Sequence, residues 1–81
     1  MTGAGIFDGD LLIVDRAATP SQGDVIIAIL DGDLTCKILD IRNQRLLAGD
    51  DTKPSIPIPE DGFSVEGVVI SSIRLHRAIH R

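Results

Sequence analysis

Gly23-Asp24-Val25-Ile26-Ile27-Ala28-Ile29-Leu30-Asp31-Gly32-Asp33-Leu34-Thr35-Cys36-Lys37-Ile38-Leu39 is the stretch that decides the fold. Two apolar segments of strand length flank one Asp-Gly pair. Asp31-Gly32 suits a type I′ turn, whose two positive φ angles match the twist of paired strands. The stretch therefore reads as a β-hairpin, with one strand over Asp24 to Leu30 and the next over Leu34 to Arg42.

The same grammar runs outward in both directions. Upstream, Asp8-Gly9-Asp10 is a turn that opens a strand over Leu11 to Asp15. That strand is continuously apolar and is expected to be covered on both faces. Arg16 to Gln22 is a connection. Downstream, Arg45 to Ala48 is a short strand. Asp50 to Asp61 carries Pro54, Pro57 and Pro59 and reads as an extended loop or edge segment. The last strand runs from Phe63 to about Leu75. Its first half, Val65 to Ile70, is nearly all apolar and is expected to be central. From Ser71 the pattern alternates, with Ile73 and Leu75 on one face and Ser72, Arg74 and His76 on the other. That half is expected near a sheet edge, either blunted by its arginines or paired with another chain. No window carries a capped 3.6-residue apolar period, so no long helix is expected. The fold class is all-β: a small twisted domain of β-hairpins.

With 81 residues the chain is one domain, residues 1–81. A domain this size hides only about 60% of its unfolded surface. With 43% hydrophobic residues it can build a thin core and gains from oligomerisation. Its aromatic residues are Phe7 and Phe63 alone, which argues against a nucleic-acid module built on stacked rings. The net charge of −4 disfavours direct binding to nucleic acid or to an anionic membrane. The charge is uneven, at −7 over residues 1–66 and +3 over residues 67–81. The basic end is either a solvated tail or a contact patch for an acidic partner. The longest apolar run, Val25 to Leu30, is far short of the roughly 18 residues of a membrane span. The N-terminal residues lack the features of a signal peptide, and a single cysteine rules out an internal disulfide framework. Cytoplasm is the expected location.

Lys37 is the residue most open to a chemical role. A lysine amid apolar strand residues can be desolvated, which lowers its pKa toward neutrality. A neutral lysine can take the proton of a serine. The plainer reading is a strand lysine directed to solvent. The serines available are Ser21, Ser55, Ser64, Ser71 and Ser72, none within a nucleophile-elbow motif. His76 and His80 have a metal-ligand spacing but no third ligand. Asp8, Asp10, Asp50 and Asp51 are explained by turn chemistry. Gly3-x-Gly5 lacks the strand and helix of a phosphate loop. Cys36 reads as an inert core thiol. No metal or cofactor is expected.

Three ordered blocks carry a resemblance. Met1-Thr2-Gly3-Ala4-Gly5-Ile6-Phe7-Asp8-Gly9-Asp10, leading into Leu11 to Asp15, is the first. The hairpin with Asp31 to Leu39 and its Lys37 is the second. Glu66-Gly67-Val68-Val69-Ile70 is the third. Together they resemble the LexA/UmuD (S24) family of self-cleaving Ser–Lys peptidases, over essentially the whole chain. The opening Met-x-Gly-Ala-Gly-Ile and Asp-Gly-Asp-Leu-Leu-Ile-Val-Asp look more like the UmuD, polymerase-accessory branch. The resemblance implies a serine directly before the methionine that attacks a peptide bond in an N-terminal arm, with Lys37 as general base. It implies stimulation by RecA on single-stranded DNA, part of the SOS response. It further implies a shortened dimeric product that joins a Y-family polymerase in translesion synthesis.

The sequence departs from the family pattern at its first residue. It starts at Met1, one position after the nucleophile. The 81 residues are therefore expected to be a shortened domain or a reading frame begun at an internal methionine, and as written not to cleave themselves. The alternatives are the dimerisation and self-cleavage domain of a LexA-like or phage-type repressor, or a nonenzymatic β-fold interaction module.

Overall fold

The structure, a computed structural model, describes residues 5–6, 9–49 and 52–76. Those residues build one antiparallel sheet and no helix. Its strands are β1 (Leu11–Asp15), β2 (Val25–Leu30), β3 (Asp33–Asp40), β4 (Arg45–Leu47), β5 (Ile56–Pro57) and β6 (Phe63–Ile73). They lie side by side in the order β1-β6-β2-β3-β4-β5.

The hairpin forms as the sequence predicts. Asp31 has φ 50° and Gly32 φ 85°, the two positive angles of a type I′ turn. Leu30 faces Asp33, and the ladder continues through Ala28 opposite Thr35 to Val25 opposite Ile38. The Asp31 backbone N–H also donates to the Gly62 carbonyl at 2.8 Å, tying the hairpin tip to the start of β6.

Strand alternation sorts the side chains. Ile26 and Ala28 of β2, Leu39 of β3, Leu46 of β4 and Val68 of β6 face one way and form the core. Ala18, Ile56, Ile58 and Phe63 pack around it. Two β-bulges interrupt β6. One leaves Glu66 unpaired between Gly67, opposite Ile27, and Val65, opposite Ala28. The other leaves Ile70 unpaired between Ser71, opposite Ile13, and Val69, opposite Val14. Gly67 is where β1 comes closest: a Cβ there would collide with the Val14 side chain and lie 3.2 Å from the Asp15 carbonyl oxygen.

One expectation about the first strand is corrected. β1 is an edge strand, not one covered on both faces. Leu11 is 51% and Ile13 45% exposed, while Leu12 and Val14 are half-buried. A continuous apolar run fits an edge strand whose second face is open. The alternating half of β6 does lie near an edge. β2 pairs with β6 only from Phe63 to Val68, so Ser71, Ser72 and Ile73 pair with the edge strand β1 alone, and all three are exposed. The edges are β1 and the two-residue β5, whose Pro57 fits the proline-interrupted edge segment expected there.

β3 stops at Asp40 rather than Arg42: Asp40 is the last pair of the ladder, opposite Arg45, and its side chain holds the turn that follows. Its carboxylate accepts from the Asn43 side-chain amide (2.8 Å), the Gln22 side-chain amide (2.9 Å) and the Asn43 backbone N–H (3.2 Å). The Gln22 carbonyl oxygen in turn accepts from the Arg42 backbone N–H at 3.0 Å. The Asn43 side chain, followed by that of Gln22, holds the Asp40 carboxyl below its ordinary value of 3.8. A carboxyl lowered in the folded state stabilises the fold fully above its unfolded pKa. That contribution is lost as the pH falls through the lower folded value. Asp40→Asn is therefore expected to cost stability at neutral pH. Its deficit in urea melts should shrink below pH 3.8. A deficit equal at pH 7 and pH 2.5 would show that charge is not the cause.

Candidate functional site

Lys37 stands on the core face of the sheet. It shares the face of Leu39 two residues on, and it lies directly opposite Ile26, which is 0% exposed. Ile26 in turn faces Val68, so Lys37, Ile26 and Val68 form one row across β3, β2 and β6. The lysine itself is half-buried. The sequence alternative of a strand lysine standing free in solvent is not what the fold produces. β4 pairs with β3 only over Ile38 to Asp40, so Lys37 sits just beyond the end of that ladder, on the open margin of the core.

The described serines do not meet it. Ser64 lies opposite Ile29, Ser71 opposite Ile13 and Ser72 opposite Leu12, all exposed. Ser21 is built into a turn, its N–H donating to the Asp24 carboxylate at 2.8 Å and its carbonyl accepting from the Asp24 N–H at 3.0 Å. The Ser55 hydroxyl accepts from Arg45 Nε at 2.6 Å, and its carbonyl accepts from an Arg45 terminal nitrogen at 2.8 Å. None of the five is the cross-strand neighbour of Lys37.

The remaining candidates separate by position. Cys36 is half-buried opposite Ile27, on the face away from Lys37 and the core cluster. Burial pushes its thiol up, while the Lys37 charge next to it works the other way. The expected core thiol thus lies on the second face rather than in the core. A hollow of about 310 Å³ lined by Val14, Arg16, Ile27, Leu34 and Glu66 opens on this second face, so it does not combine with Lys37. His76 is exposed, and His80 lies outside the described residues, as do Gly3, Asp8, Asp50 and Asp51. Among the described residues no three His, Cys, Asp or Glu side chains cluster as metal ligands. Among the described residues there is no helix long and apolar enough to cross a membrane.

Asp10 is more than a turn residue. Its side chain is only 2% exposed, and its carboxylate lies 3.7 Å from Arg74 Nε. Sequence reading placed these residues in separate features, a turn and a basic tail. The signal that joins them is the β1–β6 register, which no local pattern carries.

An all-β domain with a half-buried lysine at the margin of its core face, on the second strand of a type I′ hairpin, is the class this arrangement defines. The chain belongs to the Peptidase S24-like family, whose model matches residues 1–70, and so to the LexA/UmuD group that the sequence resembles. It is 38% identical over 81 residues to a LexA repressor of Syntrophotalea carbinolica, covering 96% of this chain and 40% of the relative. It is 36% identical over 80 residues to a LexA repressor of Stenotrophomonas maltophilia, covering 95% of this chain and 38% of the relative. Protein ImpA of Salmonella typhimurium is 36% identical over 80 residues, with 98% of this chain and 55% of the relative covered. The chain thus spans from about two fifths to just over half the length of these relatives.

Proposed function

We propose that this chain is the catalytic β domain of a protein that cuts its own backbone with a serine–lysine pair, with Lys37 as the general base. The observation that carries the proposal is the place of Lys37: half-buried, on the core face opposite Ile26, in a domain of the S24 family. By resemblance the nucleophile is a serine directly before Met1. Its hydroxyl oxygen would bond to the carbonyl carbon of a peptide bond in the arm, passing its proton to Lys37 Nζ. The C–N bond then breaks, and the lysine returns the proton to the departing amine. Water releases the acyl group from the serine.

In the finer reading the protein serves the SOS response as a UmuD-like subunit. RecA on single-stranded DNA stimulates its cleavage, and the product dimerises and joins a Y-family polymerase. A homodimer is supported by apolar side chains left open on neighbouring parts of β1 and β6, namely Leu11, Ile13 and Ile73, with Leu75 just beyond. A LexA-like repressor reading is supported by the LexA relatives at 36–38% identity, and an upstream helix-turn-helix in the same gene would decide for it. The test is cleavage. With a serine directly before Met1 and the native arm in place, the protein incubated with RecA–single-stranded DNA filaments should yield two fragments. An intact, folded protein after prolonged incubation, with a LexA protein cut in the same tube, would leave the nonenzymatic module as the reading. A monomeric mass by light scattering at high micromolar concentration would remove the dimer.

A further inference from the structure

We propose that Arg74 is a positioning residue that anchors the segment leading from Met1 into β1. The proposal rests on the serine–lysine reading above and adds to it a device that holds the nucleophile within reach. Leu11 opposite Ile73 is the last pair of the β1–β6 ladder, so Asp10 and Arg74 come next as the strands separate. The Asp10 side chain is 2% exposed, and a carboxylate so enclosed is strongly unfavourable without a cation or donors. Arg74 Nε lies 3.7 Å from it. A terminal nitrogen of the same guanidinium donates to the Gly5 carbonyl at 3.5 Å, across 69 residues of sequence. One planar fork therefore reaches two points of the incoming chain: Asp10, fixed by β1, and Gly5, outside every ladder. A lysine has the charge for the first contact but not the fork for both.

Chain length gives the consequence. A residue directly before Met1 is five residues from Gly5 and eleven from Leu11. At about 3.3–3.6 Å per residue it can lie up to about 18 Å from an anchored Gly5, but up to about 40 Å from Leu11 when β1 is the only anchor. For a tethered group the effective concentration at a target within its reach falls roughly as the −3/2 power of tether length or more steeply. Losing the Gly5 anchor should therefore dilute the nucleophile at Lys37 by about 3- to 10-fold.

Two readouts test this. The first is amide hydrogen exchange on the 81-residue chain. Arg74→Gln should speed exchange at Gly5 and Ile6 by about tenfold while leaving the β2 ladder of Ile26 to Ala28 unchanged. Arg74→Lys, which keeps a cation beside Asp10 and guards against loss of the fold, should preserve the melting temperature yet also speed exchange at Gly5. The second is self-cleavage in the chain extended by its serine and arm, where Arg74→Gln should lower the rate by about 3- to 10-fold. Unchanged exchange at Gly5 in both variants overturns the anchor. Faster exchange with an unchanged cleavage rate overturns its role in positioning. If Lys37→Ala fails to slow cleavage, the serine–lysine reading falls and the positioning role falls with it. The exchange data then still decide whether the anchor exists.

Discussion

Replacing Lys37 by alanine in a chain that carries the serine before Met1 is expected to lower self-cleavage by about 10²- to 10⁴-fold, the usual worth of a positioned general base. Arginine makes the sharper test. Lys37→Arg keeps the positive charge and a long aliphatic stem at a half-buried strand position. A guanidinium does not give up its proton at any pH a protein survives, so it cannot accept one from serine. Both variants should fold, since Lys37 sits at the margin of the core and Leu39, not Lys37, belongs to the buried cluster. The measurement is the first-order rate of fragment appearance at matched folded fraction, read alongside a thermal melt. An arginine variant that cleaves at the parent rate would remove Lys37 from the base role.

The largest stability effect is expected at Ile26. This side chain is 0% exposed and stands between Lys37 and Val68 in the row that crosses the three central strands. Ile26→Ala removes three carbons from the best-enclosed point of the sheet, with an expected cost of about 2–5 kcal/mol. A chain of this length has a total stability on the order of 4–12 kcal/mol, so the variant should be partly or largely unfolded at 37 °C. Ile26→Val should cost only about 0.5–1.5 kcal/mol. Urea denaturation followed by far-ultraviolet circular dichroism distinguishes them. An alanine variant within about 1 kcal/mol of the parent would mean that the core collapses freely around the gap. Because the same row holds Lys37, loss of Ile26 should also cost cleavage in whatever fraction remains folded.

What was legible in the sequence was local. Asp31-Gly32 specified its turn through backbone angles that those two residues adopt cheaply, and β2 and β3 followed from it in register. Lys37 was legible only as a strand lysine with two readings, of which the resemblance favoured the chemical one; its place opposite Ile26 comes from the folded register. The lateral order of strands was not legible. Leu11 to Val14 and Val25 to Leu30 look alike as apolar runs, yet one is an edge and the other is central. The difference lies in which strands find each other across the chain, and neither run encodes that. The polar network of Gln22, Asp40 and Asn43 and the contact between Asp10 and Arg74 escaped for the same reason. They join residues 18 and 64 positions apart, neighbours across ladders whose register only the folded chain reveals.

The pairing of the first strand with the last sets a schedule for a newborn chain. The β2–β3 hairpin can close as soon as its own residues emerge, because its contacts are local. β1 is made earlier and has to wait. Its neighbour is completed only at Ile73, 62 residues after Leu11. At about 5–20 residues per second the wait is about 3–12 s, during which Leu11 to Val14 is an unpaired apolar ribbon at the ribosome exit. A hairpin that is ready in microseconds and a first strand that stays open for seconds make this a sheet assembled from its middle outward, with its beginning secured last.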